Sequence, residues 1–231
     1  MKKILFFTGA GVSAESGIPT FRASDGLWCN HSISEVATPE GWEMDQQKVL
    51  NFYNERRSDI LKSEPNEAHK IIADLEKNFD VTVVTQNIDD LHERAGSTKV
   101  VHLHGEILKV RSTGNPNLVY ERREDLEEGD ICEDGHQLRP HVVWFGEIPE
   151  NLDYAAWSAS EADICIIVGT SMQVYPAAGI PLLTRIGTLI YYIDPSEDNS
   201  QILTLGGRNF HHIKEKASAG MKKIIRNLII S

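Results

Sequence analysis

Cysteine is scarce in this sequence. Only Cys29, Cys132 and Cys165 occur among 231 residues, and none lies close to another. An odd number of widely spaced cysteines is poorly suited to a disulfide framework. The sequence therefore predicts a protein of a reducing compartment, where disulfides seldom persist.

Long apolar runs and positive charge are also lacking. No stretch approaches the ~20 apolar residues that a membrane-spanning helix needs, and the N-terminal run Ile4–Phe7 is shorter than the apolar part of a signal peptide. Lys and Arg number 23 against 34 Asp and Glu, a net charge of −11, which disfavours nonspecific binding to nucleic acid or anionic membranes. We expect a soluble, cytoplasmic protein without nucleic-acid or membrane partners.

Short apolar, β-branched runs alternate with helical patterns along the chain. The run Ile164–Val168 is apolar throughout, as is typical of a strand buried on both faces of a parallel sheet. The alternation predicts an α/β fold with a doubly wound, Rossmann-like sheet. The predicted strands are Ile4–Phe7, Val81–Thr85, Ile164–Val168 and Leu189–Ile193, and the predicted helices are Gln46–Leu61, Glu67–Lys77, Ala177–Ile186 and Lys214–Ile229.

A polar, charged segment between about residues 107 and 138 interrupts this alternation. Its turn signals and sparse apolar residues predict a small inserted module. We expect one domain over residues 1–231. Its Rossmann-like part would comprise about 1–25, 78–106 and 140–231, and its smaller module about 26–77 and 107–139.

The first predicted strand runs directly into a GxGxxA pattern over residues 9–14. Glycines here allow a tight turn and a close approach to a pyrophosphate, and the amides that follow face the anion. The alternative is a tight turn with no ligand. An ordinary dinucleotide-binding fold also needs an acid at the end of its second strand, about 20 residues further on. Here that stretch is the loop Gly17–Arg22.

The run from Gly9 to Arg22 resembles, over its whole length, the sirtuin signature GAGxSxxSGIPxFR. Further blocks resemble that family in the same order, namely Thr85–Asp89 (TQNID), His104-Gly105 (HG), Val143–Glu147 (VxFGE) and Gly169–Ser171 (GTS). The resemblance implies an NAD-dependent protein-lysine deacylase. NAD would be consumed as a co-substrate, and acyl-lysine proteins or peptides would be the partners.

The reaction implied by the resemblance cleaves the nicotinamide–ribose bond of NAD. The acyl oxygen attacks the ribose as nicotinamide leaves, and a base then activates the ribose 2′-hydroxyl through the 3′-hydroxyl. Free lysine, nicotinamide and an O-acyl-ADP-ribose result. Two alternatives stay open, mono-ADP-ribosylation of a different acceptor and a non-catalytic NAD-responsive module, whereas hydride transfer is disfavoured.

His104 is the expected base, because imidazole is largely neutral and able to accept a proton at about pH 7. Spacing alone leaves His102 as an equal candidate, since alternate residues of an extended segment share a face. The family motif has its catalytic histidine directly before a glycine, which selects His104.

The resemblance also assigns cofactor contacts. Asn87 and Asp89 are expected to hold the nicotinamide carboxamide, although on spacing alone they could simply cap a helix beginning near Ile88. Phe21 is expected to cover the reaction centre, and Arg22 to contact the cofactor or order the loop. The expected catalytic residues are His104, Asn87 and Arg22. The other expected contacts are Gly9, Ala10, Gly11, Ser13, Gln86, Ile88, Gly169, Thr170, Ser171, Asp194 and Ala217.

Asp194 stands where the family usually has asparagine. A carboxylate accepts hydrogen bonds from both ribose hydroxyls and repels a 2′-phosphate, which favours NAD over NADP. Ala217 is expected against the adenine.

Tyr53 and Arg56 form a Tyr-x-x-Arg pattern within a predicted helix. Residues three apart share a helix face, and an arginine fork suits a carboxylate. The pair resembles that of sirtuins that remove acidic acyl groups, which implies activity on succinyl- or malonyl-lysine besides acetyl-lysine. The alternative is an amphipathic helix with a surface arginine. The substrate backbone is expected to add a strand, between Phe145-Gly146-Glu147 and Val174.

Most sirtuins hold a structural zinc with two Cys-x-x-Cys pairs, and this sequence departs from that pattern. The region of the first pair, Val110–Gly114, has no cysteine. The second pair would fall at Ile131 and Asp134, and Cys132 is one position out of register. We therefore expect no structural zinc.

Overall fold

The computed structural model describes residues 1–20, 31–196 and 209–230. Over these ranges the chain forms a six-stranded sheet and a three-stranded sheet. The strands are β1 (Lys3–Thr8), β2 (Asp80–Thr85), β3 (Val100–His102), β4 (Gly105–Ser112), β5 (Val119–Glu121), β6 (Leu138–Val142), β7 (Ile164–Val168), β8 (Leu189–Ile193) and β9 (Asn209–Ile213). The helices are α1 (Ile33–Val36), α2 (Pro39–Met44), α3 (Gln46–Lys62), α4 (Glu67–Leu75), α5 (Leu91–Ala95), α6 (Leu152–Glu161) and α7 (Ala217–Ile230).

The larger sheet has the spatial order β3-β2-β1-β7-β8-β9, and its neighbouring strands are all parallel. The chain leaves β1 toward β2 on one side and later returns to β7 on the other, so the strand order reverses between β1 and β7. Ligands of such sheets bind beyond the carboxyl ends of the strands at this reversal. The predicted doubly wound α/β fold is confirmed.

Apolar side chains cover both faces of the larger sheet. Every residue of β7 is buried, which explains its uninterrupted run of Ile, Cys and Val. On one face α4 and α7 complete the core, and on the other face α6 and the 3-10 helix Ala177–Leu183 do so. Burial on both faces is the usual state of a parallel sheet.

The smaller sheet is antiparallel, with β4 between β5 and β6. Helix α3 packs on it and contributes Val49, Leu50, Phe52, Tyr53 and Ile60 to a separate core. The chain passes from one sheet to the other at Gly105, where φ is +79° and an added Cβ would lie 2.2 Å from the His141 carbonyl oxygen. Glycine is therefore required at the junction.

Some predicted elements differ from those observed. The helix predicted over 177–186 is a 3-10 helix that ends at Leu183. It contains Pro181, and proline removes a backbone donor from a helix interior. Helix α4 lies within the predicted bounds of the smaller module but packs in the core of the larger sheet. Strand β6, which the predicted boundary at 140 divides, belongs to the smaller sheet. Within the described ranges, no helix has both the length and the apolar character to span a membrane.

Candidate active site

The predicted phosphate-binding turn over residues 9–14, called the glycine turn below, lies at the carboxyl ends of β1 and β7. The Gly11 amide donates to the Gly169 carbonyl (2.8 Å) and the Gly9 amide to the Val168 carbonyl (3.1 Å). A Cβ added at Gly11 would lie 2.6 Å from the Gly169 Cα. The two loops therefore touch through backbone alone, as the pattern predicts. Two short 3-10 helices, Ala10–Val12 and Ala14–Ser16, follow the turn instead of the α-helix of an ordinary dinucleotide-binding motif.

Three of the predicted cofactor residues are joined by hydrogen bonds beneath this turn. The Asn87 Nδ2 donates to the Ser13 hydroxyl (3.1 Å) and to the Gly9 carbonyl (3.3 Å). The Ser13 hydroxyl in turn donates to the Asp89 carboxylate (2.9 Å). All three side chains are buried. These bonds fix the segment after β2 relative to the glycine turn after β1.

Asp89 also accepts from the Leu91 amide at the start of α5 (3.2 Å). The helix begins at Leu91 rather than near Ile88, and its N-cap residue is Asp90, whose side chain makes no capping bond. Asp89, one residue earlier, bonds the first helical amide. Burial raises the pKa of Asp89 to about 6, although the hydrogen bonds from Leu91 and Ser13 oppose the shift. A carboxylate oxygen has lone pairs beyond those used here, so further acceptance remains open to it.

His104 lies between β3 and β4, two residues after the end of β3 and directly before Gly105. Its Nδ1 lies 2.9 Å from the Gln86 carbonyl oxygen. A carbonyl only accepts, so Nδ1 carries the proton and Nε2 carries the lone pair in the neutral ring. Burial lowers the pKa of His104, with the Gln86 carbonyl opposing the shift. The ring is therefore neutral at pH 7 and is basic at Nε2.

His102 differs from His104 in its surroundings. Its Nδ1 faces the Asn87 carbonyl (3.0 Å) and its Nε2 the Glu93 carboxylate (2.7 Å). Because both partners are acceptors, the protonated ring is favoured. Burial by itself would lower the pKa of His102, but Glu93 outweighs it and the net shift is upward. A protonated ring has no lone pair with which to accept a proton. The ring partners therefore favour His104 over His102 as the base, a choice that spacing alone left open.

The remaining predicted cofactor residues lie along the same edge. The Gln86 amide donates to the Thr170 hydroxyl (2.9 Å), which links the loops after β2 and β7. Ile88 is half-buried against the core of the smaller module, Ala10 is half-buried and Ser171 is exposed.

Asp194 is half-buried after β8 and accepts from the Ser196 amide (2.9 Å), and burial raises its pKa. Ala217 is buried at the start of α7, in the core. Phe21 and Arg22 lie outside the described residues.

Tyr53 and Arg56 both lie buried on α3, which rules out a surface arginine. The Tyr53 hydroxyl accepts from the indole nitrogen of Trp144 (3.0 Å). Arg56 donates from Nη1 to the Phe52 carbonyl (2.7 Å), and its guanidinium carbon lies 3.3 Å from the centroid of the Phe52 ring. Burial lowers the pKa of Arg56.

The loop predicted to receive the substrate backbone carries both exposed and buried groups. Phe145 is 48% exposed, and Gly146 has a φ of +93°. Glu147 instead turns inward, where it accepts from Arg139 (2.6 Å) and from the Trp144 amide (2.8 Å). Its carboxylate holds the loop together. Val174 is half-buried, and its carbonyl accepts from the Ala178 amide (2.9 Å).

Hydrogen bonds occupy the place where most sirtuins have zinc cysteines. Ser112 donates to one Asp134 carboxylate oxygen (2.6 Å), and Cys132 (2.9 Å) and the His136 amide (3.0 Å) donate to the other. Among the residues that the structure describes, no three His, Cys, Asp or Glu side chains are placed to hold a metal ion. These residues do not fit a tetrahedral zinc site, and the absence of zinc stays a prediction for metal analysis.

Two contacts of this site were missed from the sequence. Asn66 donates from Nδ2 to the Val12 carbonyl (2.7 Å) and the Ser16 hydroxyl (3.0 Å), so it ties α4 to the glycine turn. Trp144 reaches Tyr53 across the smaller core. Asn66 could have been found as the side chain that caps a predicted helix, whereas no local signal pairs Trp144 with Tyr53.

Residues 9–176 match the Sir2 family. The chain belongs to that family. A Helicobacter pylori protein named NAD-dependent protein deacylase is 50% identical over 229 residues, which cover 99% of this chain and 98% of that protein. The resemblance to sirtuins drawn from the sequence motifs is confirmed.

Solved structures of the Sir2 family agree with this fold. One is a Sir2 homolog–NAD complex, with a TM-score of 0.85 and 39% identity, covering 99% of this chain and 90% of its own. Another is a Sir2 variant with a deacetylated p53 peptide and 3′-O-acetyl ADP ribose, with a TM-score of 0.82 and 28% identity, covering 97% of this chain and 92% of its own.

Proposed function

We propose that the chain is an NAD-dependent protein-lysine deacylase that favours succinyl- and malonyl-lysine and also accepts acetyl-lysine. The observation that carries the proposal is the orientation of His104, whose Nδ1 is committed to the Gln86 carbonyl and whose Nε2 is basic. The names of the Helicobacter pylori relative and of the NAD-bound Sir2 structure support the deacylase activity and the use of NAD. NAD supplies the leaving nicotinamide and the ADP-ribose that receives the acyl group.

The proton that leaves the ribose hydroxyls would be accepted at Nε2 of His104. The lowered pKa keeps the ring ready to accept it at neutral pH. His102 would stay protonated on Glu93 and take no part in proton transfer.

The residues beneath the glycine turn would bind and orient. The Asn87 Nδ2 is already committed to Ser13 and Gly9, which fixes the direction of its amide, so its carbonyl oxygen is the group it would offer to the nicotinamide carboxamide. Asp89 would accept from the same carboxamide. The backbone contact between Gly11 and Gly169 suits the close approach of a pyrophosphate.

The acyl preference rests on Tyr53 and Arg56. Both are buried on one helix, and a buried guanidinium is costly unless an anion or other acceptors satisfy it. Arg56 already donates to the Phe52 carbonyl (2.7 Å) and pairs with the Glu55 carboxylate (3.5 Å). An acyl carboxylate would be a further acceptor for its guanidinium, which can donate several hydrogen bonds, with Tyr53 as a second donor. An acetyl group lacks the carboxylate and would leave this interaction unused.

The test uses the purified protein with NAD and matched acetyl-, succinyl- and malonyl-lysine peptides, following free nicotinamide and peptide mass. Release of unmodified lysine is expected, whereas a gain of ADP-ribose mass on the peptide would indicate transfer instead. Arg56→Met should lower the ratio of succinyl to acetyl activity about 10- to 100-fold. Arg123→Met removes the same charge from an exposed position and should leave the ratio unchanged. An unchanged ratio in Arg56→Met would reject Tyr53 and Arg56 as the residues that bind the acyl carboxylate, and a wild-type protein no more active on succinyl- or malonyl- than on acetyl-lysine would reject the acyl preference.

A further inference from the structure

The hydroxyl of Tyr53 has a defined hydrogen-bonding direction. Its oxygen accepts from the Trp144 Nε1 at 3.0 Å, a contact between residues 91 positions apart. An indole nitrogen donates only, so the phenolic hydrogen cannot point back along this bond. Tyr53 must direct its own O–H elsewhere, and it is 3% exposed.

Trp144 is itself held on two sides. The guanidinium carbon of Arg139 lies 3.2 Å from the centroid of the Trp144 ring. Both Nη atoms of Arg139 donate to Glu147 (2.6 and 3.1 Å), and Glu147 also accepts from the Trp144 amide (2.8 Å). A bidentate ion pair of this kind has a fixed geometry. The direction of the indole N–H is therefore set by residues of the Trp144–Glu147 loop and β6.

Tyr53 also neighbours Arg56. The two residues lie three apart on α3, and the Phe52 ring, on which the Arg56 guanidinium lies, is in edge contact with the Tyr53 ring (centroids 5.0 Å apart). A phenolic hydrogen and a guanidinium directed to one side of α3 would together suit a carboxylate.

We propose that Trp144 is a positioning residue for acyl selectivity, which by holding the Tyr53 oxygen as an acceptor directs the phenolic hydrogen toward the carboxylate of a succinyl or malonyl group. This inference rests on the acyl preference proposed above. Trp144 itself does not contact the acyl group. Its removal leaves the phenol free to rotate, and that freedom weakens binding of an acidic acyl chain without altering the reacting atoms.

The experiment compares steady-state kinetics on succinyl- and acetyl-lysine peptides. Trp144→Phe should raise KM for the succinyl peptide about 3- to 10-fold, the loss of one neutral hydrogen bond, and leave kcat and the acetyl KM within about twofold. Trp42→Phe makes the same change in a ring 5.7 Å away in the same core and should change neither KM. Trp144→Leu serves as a second variant without the donor if the first does not fold.

Tyr53→Phe tests whether Trp144 acts through the Tyr53 hydroxyl. If Trp144 acts through the hydroxyl, adding Trp144→Phe to Tyr53→Phe should have no further effect on the succinyl KM. An additive effect, or an equal loss on the acetyl peptide, would overturn the inference and indicate a structural role.

Arg56→Met separates the two proposals. If it lowers the succinyl-to-acetyl ratio while Trp144→Phe and Trp144→Leu do not, the positioning role is wrong and the acyl preference stands. If Arg56→Met and Tyr53→Phe also leave the ratio unchanged, the positioning role and the assignment of Tyr53 and Arg56 to the acyl carboxylate are both wrong.

Discussion

The larger sheet and the smaller module both have apolar cores, but the smaller module also has a buried cation with its own hydrogen-bond network. In the larger sheet, β7 is wholly buried among aliphatic and aromatic side chains. In the smaller module a fully buried cation, Arg57, donates to the Ile107 carbonyl (3.2 Å) and to the Asn54 side chain (2.6 Å). Burial lowers the pKa of Arg57 to about 10. Asn54 in turn bonds both the amide and the carbonyl of Leu126.

The difference predicts that the two parts respond differently to pH and to substitution. Apolar burial is insensitive to pH and tolerates exchanges between apolar residues of similar volume. A buried polar network is stable only while all of its members are present. The carboxyl edge of the larger sheet carries His104 and the glycine turn, whereas the smaller module carries the residues proposed to select the acyl group. The same fold can therefore keep its chemistry while its selectivity changes.

The largest effect on activity is expected from substitution of His104, the proposed base. His104→Ala should lower turnover about 10²- to 10⁴-fold for every acyl peptide, because no other group would accept the ribose proton. Nicotinamide release under single-turnover and steady-state conditions measures it. His211→Ala removes an imidazole from an exposed position on β9 and should retain full activity. Comparable turnover in the two variants would remove His104 as the base.

A core substitution in the larger sheet should cost global stability. Ile166→Ala truncates a side chain with no exposed surface and should lower the free energy of unfolding by about 2–5 kcal/mol. Urea denaturation measures the loss. Ile148→Ala makes the same change at a position 83% exposed and should stay within about 0.5 kcal/mol of the wild type. Equal losses in the two variants would contradict a stability that depends on this core.

The pH dependence should follow the buried groups at the strand ends. His104 acts as a base only when neutral, and its pKa lies below the usual 6.5. We expect kcat/KM to be flat at neutral pH and to fall roughly tenfold per unit on the acid side of that pKa. Burial raises the pKa of Asp89 to about 6, so Asp89→Asn should remove one ionisation from the acid limb. Activity that rises as pH falls would contradict both assignments.

The smallest effect is expected in the smaller module. The pKa of Asp134 lies below its usual value because Cys132 and Ser112 donate to the carboxylate. Its contribution is therefore present above about pH 4 and is lost as pH falls toward the lowered pKa. Asp134→Ala should raise amide exchange across residues 112–137 and leave global unfolding nearly unchanged.

Glu128→Ala removes the same charge from an exposed position in this module and serves as the control for Asp134→Ala. Uniform loss of protection across both sheets would show that the module is not separately stabilised.

The sequence predicts the larger sheet better than the smaller module, for a physical reason. An uninterrupted apolar run such as Ile164–Val168 is a local signal, and so is the glycine turn after β1. Strands β3 and β9 are short or polar, so neither has a strong pattern. The partners of Arg57 and Tyr53 lie 50 and 91 residues away, and no local pattern encodes such pairs.

The backbone contact between Gly11 and Gly169 constrains how this site can evolve. A Cβ added at Gly169 would lie 2.4 Å from the Gly11 carbonyl carbon, and one added at Gly11 would lie 2.6 Å from the Gly169 Cα. Main chain stands on both sides of the contact, so no neighbouring side chain can be trimmed to make room. A genetic screen for second-site suppressors of Gly11→Ala should therefore recover true revertants and few compensating changes.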